Sequence, residues 1–236
     1  MSQATKGFAL ITGASSGIGA IYADRLAKRG HDLVLVARRL DRLRALTDKI
    51  ARGTGRKIEV IAADLGNRKD LAKVEAVLRT DKRITTLIND AGVVSTASLL
   101  HADVDKRSEV IALNVDALTC LTYAAACGFV ERGGGTIVNI ARPVALAPLL
   151  LNGVCGVSKE FVLVFSQLLR PALAENGVRI QVVLPGGTAR DPWETTAMPL
   201  KEMPRELLIS RGPRRRSPGR PRPGRVRHAA FATKPG

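Results

Sequence analysis

The run Phe8-Ala9-Leu10-Ile11-Thr12-Gly13-Ala14-Ser15-Ser16-Gly17-Ile18-Gly19 constrains this chain more than any other feature. An apolar, strand-forming segment enters a turn with glycines at 13, 17 and 19, and a helical pattern comes next. Glycines permit so tight a strand-to-helix turn and let a ligand approach the backbone closely. The helix opening there presents unpaired N–H groups and the positive end of its dipole. Such a turn predicts a βα unit with an anion cradle of the kind that holds a pyrophosphate.

The alternation continues along the chain. Strand-like runs at Phe8–Ile11, Leu33–Val36, Ile58–Ala62, Thr86–Asn89, Thr136–Ile140 and Ile180–Leu184 are separated by helical patterns, among them Leu40–Arg52, Arg68–Arg79, Asp105–Phe129 and Ser158–Glu175. Strands alternating with helices imply βαβ units and right-handed crossovers. The expectation is an α/β fold: a Rossmann-like, doubly wound parallel sheet of about six strands with helices on both faces, in three layers. Aromatic residues are 3% of the chain against 45% hydrophobic in all, so the core falls to Ala, Val, Leu and Ile, as suits strands buried on both faces. Gly30, Gly53 and Gly177 sit where helix C-caps would fall.

The pattern stops near Ser210. Residues 1–209 read as one domain and residues 210–236 as a basic, Arg/Pro/Gly-rich tail without apolar periodicity, a composition that predicts disorder. The formal charge of +16 comes largely from that tail, which holds nine of the 37 Lys and Arg and no acid. The first 210 residues keep 28 basic against 21 acidic residues, or +7. The tail carries no aromatic interleaving and adjoins no nucleic-acid-binding module, which argues against nucleic acid as a partner. Cys120, Cys127 and Cys155 form no CxxC pair and no cluster with metal-ligand spacing. Cys120 and Cys127 share a helix face and read as buried thiols. Neither the N-terminus nor 144–157, read as the most apolar later stretch, fits a signal or membrane span. Together these features predict a soluble, cytoplasmic protein that binds no metal.

The glycine spacing is GxxxGxG, and further motifs follow in order: Asp64-Leu65, Asn89-Asp90-Ala91-Gly92, Asn114, GGTIVNI, Ser158-Lys159 and Pro185-Gly186. Over about Lys6 to Ile209 the chain resembles the short-chain dehydrogenases/reductases. The resemblance implies a nicotinamide dinucleotide and hydride transfer at a carbonyl or alcohol carbon. It places the cofactor against Gly13, Ser15, Ser16, Gly17, Ile18 and Gly19. It gives Asp64 and Leu65 to the adenine, and Asn89, Ala91 and Gly92 to the adenosine ribose side and the sheet. Pro185, Gly186 and Thr188 would close on the nicotinamide carboxamide, and Trp193–Met203 would begin a lid. After the second strand stands Ala37-Arg38-Arg39. An acid there would hold a ribose diol and repel a 2′-phosphate, whereas a guanidinium clamps phosphate. NADP(H) is therefore favoured over NAD(H), with Arg38 the phosphate contact and Arg39 and Ser15 helpers. The alternative for these arginines is a solvated basic helix start.

The same resemblance calls for a serine, a tyrosine, a lysine four residues after the tyrosine and an asparagine in the preceding helix. Asn114 and Lys159 match. The tyrosine position holds Cys155 and the serine position, thirteen residues earlier, holds Arg142. Cys155 reads either as a thiolate activated by Lys159 and Arg142 or as a small inert core residue. Arg142 reads as a cation polarising a carbonyl, as bulk filling the pocket, or as a side chain reaching solvent. With both hydroxyls gone, the expectation is impaired activity, the alternative being an inactive cofactor-binding remnant. The Ala/Leu-rich segment 144–154 suggests an apolar pocket wall and hence a small apolar carbonyl or alcohol substrate. The long helices are available for a homodimer, as in the family. The tail composition suggests a frame-shifted end lacking a seventh strand, which would leave Ile180–Leu184 an exposed sheet edge.

Overall fold

The computed structural model describes residues 5–94, 103–142, 145 and 153–185. Six strands form one parallel sheet: β1 (Phe8–Thr12), β2 (Asp32–Ala37), β3 (Ile58–Ala62), β4 (Ile84–Asn89), β5 (Gly135–Ile140) and β6 (Val178–Val183). Their order is β3-β2-β1-β4-β5-β6, every neighbouring pair parallel. The order reverses between β1 and β4, the switch point at which doubly wound sheets hold ligands beyond their strand C-termini.

The helices are α1 (Gly17–Lys28), α2 (Leu40–Thr54), α3 (Arg68–Thr80), α4 (Val104–Ile111), α5 (Leu118–Glu131) and α6 (Val154–Glu175). All five residues of β1 are buried, and its alternation divides the core. Phe8 and Leu10 face Leu71, Val74 and Leu78 of α3, Leu121 and Phe129 of α5, and Leu173 of α6. Ala9 and Ile11 face Ala23 and Ala27 of α1 and Leu43 and Ile50 of α2. This is the three-layer αβα architecture expected, and Phe129 is the one aromatic among the largest fully buried side chains. At the edge strand β6, burial alternates, with Val178 and Ile180 covered and Arg179 and Gln181 exposed.

Four details differ from the sequence expectation. The long helix over Asp105–Phe129 is three pieces, because a π-helical turn, Ala112–Ala117, joins α4 to α5. A π-turn inserts one residue and rotates the helix beyond it, a device common at functional sites. The α6 helix starts at Val154 rather than Ser158, which puts Cys155 in its first turn. The cap of α2 is Gly55, left-handed at φ 66°, rather than Gly53. Cys127 is exposed and Cys120 half-buried, so the shared helix face does not bury both thiols.

Most of 144–157 lies outside the described residues. Among the described residues one helical stretch, Val104–Glu131, spanning α4, the π-turn and α5, stands out as apolar. It is long and apolar enough by composition to cross a bilayer, yet half of its apolar window is buried, with Leu121, Ala124, Ala125 and Phe129 inside the core. The fit of α5 is close: a Cβ at Gly135 would run into the Phe129 ring. The proposed tail, 210–236, lies outside the described residues.

Candidate active site

The sequence-derived candidates gather at the C-terminal edge of the sheet. The turn after β1 carries Gly13 and Gly17 at φ 67° and 57°, conformations that side chains resist. A Cβ at Gly13 would meet the Ala91 nitrogen at 2.9 Å, and one at Gly19 the Gly13 carbonyl oxygen at 2.7 Å. Around the Cβ position of Gly17, by contrast, nothing lies within 4 Å. Ser16 caps α1 without a side-chain hydrogen bond, and Ser16 and Gly17 are exposed while Ser15 and Ile18 are half-buried. The helix start is therefore open around Gly17, which suits the approach of an anionic pyrophosphate.

Two residues to which the sequence assigns no role fasten this turn. The Thr12 hydroxyl accepts the backbone N–H groups of Asp90 and Ala91, both at 3.1 Å, and donates to the Ile88 carbonyl. The Asp90 carboxylate accepts the Gly19 N–H at 2.7 Å. A threonine closing an otherwise apolar strand is the available signal for Thr12. For Asp90, the signal is an acid in a segment that must meet a donor-rich turn.

Around the turn, Arg38 and Arg39 are exposed, with Arg39 the N-cap of α2. Asp64 accepts the Gly66 N–H at 3.0 Å, while Leu65 turns its side chain into the core. Asn89 points inward: its amide donates to Thr122 Oγ1 at 3.1 Å and to Asn139 Oδ1 at 3.0 Å. Asn139 continues to Ser166 at 2.9 Å, which donates to the Val162 carbonyl. Asn89 thus ties β4, β5, α5 and α6 from inside the protein. Pro185 is half-buried after β6; Gly186 and Thr188 lie outside the described residues.

The catalytic candidates cluster around the π-turn and α6. Asn114, fully buried, accepts the Val93 N–H and donates to the Val93 carbonyl, both at 2.9 Å, and donates to Ser158 Oγ at 3.2 Å. Ser158, a residue not singled out for this role, passes the chain on to the Cys155 carbonyl at 2.8 Å. Lys159 is 6% exposed. A Cβ at Gly92 would come within 3.0 Å of Asn114 Oδ1 and 3.3 Å of the Lys159 amine, so Gly92 makes room for both. Burial, reinforced by the Arg142 guanidinium, brings the Lys159 pKa down to about 8, against the opposing pull of Cys155 and Asp90. Cys155 is 1% exposed, and reactive thiols are partly exposed; the geometry favours the inert reading. Arg142 is half-buried at the end of β5.

A family model described as short chain dehydrogenase matches residues 7–198. The chain belongs to the short-chain dehydrogenase family. Among its relatives, the 17-beta-hydroxysteroid dehydrogenase type 3 of Rattus norvegicus is 31% identical over 180 residues, 75% of this chain. The alignment spans 58% of that protein, so the chain matches less than two thirds of the relative's length. A short-chain dehydrogenase from Sphingobium yanoikuyae, solved in complex with NADPH, superposes with a TM-score of 0.79 at 44% identity, covering 83% of this chain and 77% of that one. The bulky-bulky ketone specific alcohol dehydrogenase from Comamonas testosteroni gives 0.75 at 44% identity, covering 77% and 75%. The fold and the oxidoreductase scaffold are those of the family, which binds NAD(P).

The buried amine has a consequence for stability. The folded pKa of Lys159, about 8, lies below its ordinary 10.5. Between those values the unfolded chain holds the extra proton, so stability rises with pH across that window. Lys159→Met removes the charge at nearly constant volume. At pH 7 it should stabilise the fold by about 3 kcal/mol in urea unfolding, and the advantage should shrink towards pH 10. An equal stability gap at both pH values would contradict the assignment.

Proposed function

We propose that this chain binds NADP(H) as a short-chain dehydrogenase whose hydride-transfer activity at an apolar ketone or alcohol is strongly impaired. The observation that carries the reading is a site in two unequal halves. The glycine turn is open and tightly braced, Arg38 and Arg39 are exposed beyond β2, and Lys159 is held beside Gly92 and Asn114. Opposite them, Cys155 and Arg142 stand where the family places a tyrosine and a serine. Support for NADP(H) comes from those two guanidiniums, which suit a 2′-phosphate, and from the NADPH bound to the Sphingobium protein. Support for a ketone comes from the bulky-bulky ketone specificity named for the Comamonas enzyme.

When bound, the nicotinamide would supply or accept the hydride. The chain's own residues must orient it and move the proton. The N-terminus of α1 and the glycine backbone take the pyrophosphate, and Arg38 takes the 2′-phosphate. Asn114 and Ser158 hold the segment after β4 against the first turns of α6. Lys159 carries a pKa near neutral pH and is the proton donor left by the loss of tyrosine. An acid positioned in the transition state contributes about 10²–10⁴-fold, and a lysine placed to hold a ribose recovers little of that. Residual reduction depends on the ammonium form, so its rate should fall as pH rises through about 8. Arg142→Ser combined with Cys155→Tyr should raise NADPH-dependent reduction of a bulky ketone by about 10²-fold or more. A double variant that still binds NADPH and gains nothing would refute the reading.

The proposal extends to a homodimer paired through α5 and α6. Tyr123, Val157, Val164 and Leu168 are exposed there, beside an apolar crevice of about 530 Å³ lined by Ile111, Val115, Val157 and Phe161. Light scattering should give twice the chain mass; a monomer at micromolar concentration would remove this extension.

A further inference from the structure

The first rung of the α1 ladder runs from the Ala20 N–H to the Ser16 carbonyl at 3.3 Å. The N–H groups of Gly17, Ile18 and Gly19 precede that rung and have no acceptor within the helix. They are the donors that a helix start offers to an anion. One of the three is already engaged, because the Gly19 N–H donates to Asp90 Oδ2 at 2.7 Å. The acceptor comes from 71 residues further along the chain, from the segment after β4. It is held there from two sides. The Thr12 hydroxyl accepts the Asp90 N–H at 3.1 Å, and the bare Gly19 leaves the carboxylate its place, since a Cβ there would stand 2.9 Å from Asp90 Oδ2.

An amide oxygen would accept the same N–H. A carboxylate adds a negative charge, which favours the empty helix start through its dipole and opposes a second anion brought to the same place. The charge is felt on both sides of the turn. On α1, burial and then Asp90 push the Tyr22 phenol above its usual value, against Arg25 and Arg29. On α6, burial and then Arg142 lower the Lys159 amine, while Cys155 and Asp90 pull it back up. Asp90 therefore acts electrostatically on α1 and on the buried amine of α6 while its oxygen is fixed on the backbone between Gly13 and the helix.

We propose that Asp90 sets the strength of the dinucleotide cradle: its carboxylate engages the start of α1 in the empty protein and repels the pyrophosphate of an arriving dinucleotide. The proposal rests on the reading of this turn as a pyrophosphate cradle and deepens it. The pyrophosphate is common to NADPH and NADH, so the charge weakens both by the same factor and leaves the choice between them to Arg38. Asp90 acts through the Gly19 backbone and through its charge, and is a positioning residue.

The test is Asp90→Asn, which keeps an oxygen for the Gly19 N–H and removes the charge. The full chain and the variant are titrated calorimetrically with ADP, NADPH and NADH at one ionic strength. Asp90→Asn should bind all three more tightly by a common factor of about threefold or more, with the ratio of NADPH to NADH affinity unchanged. In the unliganded variant the Lys159 amine, followed by NMR of its ε-methylene and assigned by loss of the signal in Lys159→Met, should titrate below its value of about 8. A side chain that only braces the turn predicts otherwise. Unchanged or weaker ADP binding in Asp90→Asn would overturn the proposal, and so would tighter binding with an unmoved Lys159 titration. ADP carries the diphosphate without the nicotinamide or the 2′-phosphate and so separates the two claims. Tighter ADP binding in the variant, with no preference for NADPH in either protein, would uphold the role of Asp90 and remove the NADP(H) reading.

Discussion

The hydrogen bond from the Gly19 N–H to the Asp90 carboxylate, with the Thr12 hydroxyl bridging to the Asp90 and Ala91 N–H groups, fastens the turn after β1 to the segment after β4. These are the two strands between which the sheet order reverses. Everything proposed for the cofactor depends on this junction. It holds Gly13 so close to Ala91 that no side chain fits, and it aims the start of α1 at open space. Asp90 commits one of its oxygens to a backbone donor, so the turn is braced by one of the chain's own side chains. The bond, at 2.7 Å, is at the short end for an N–H donor, which makes the cradle preformed.

Behind that junction runs a second layer of constraint. Asn89, Thr122, Asn139 and Ser166 form a buried amide–hydroxyl chain linking β4 and β5 to α5 and α6. The side chain of Asn114, carried on the π-turn, links Val93 to Ser158. The two chains fix the register of α6, and with it the position of Lys159. The amine then sits in a pocket that suppresses its charge, without the tyrosine that the family places one turn earlier. On the proposed reading the positioning residues and the lysine are present, while Cys155 and Arg142 stand where the family places the tyrosine and the serine.

How much of this is legible in the sequence depends on where each signal resides. The sheet and its layers are readable because the inner strands β1, β2, β4 and β5 are apolar and largely buried and glycines mark the turns; the six strands fall within two residues of their expected ends. The π-turn is not, since Ala112–Ala117 differs little in local pattern from an ordinary helix. The expected burial of both Cys120 and Cys127 fails because a spacing of seven gives a shared face without saying which face meets the core. The roles of Thr12 and Asp90 are hidden because both act through backbone groups distant in sequence, a contact that no local motif encodes. For Asn89 and Leu65 the motif marks positions beside the expected cofactor, and the structure turns their side chains inward to the sheet and core.

Calorimetric titration of the full chain with NADPH and with NADH, without substrate, tests most directly whether the dinucleotide cradle works although the tyrosine and serine are gone. An intact cradle with Arg38 on the 2′-phosphate predicts saturable binding of both, with NADPH at least about tenfold tighter, the equivalent of roughly 1.4 kcal/mol. Failure of both dinucleotides to bind, or tighter binding of NADH, would contradict it.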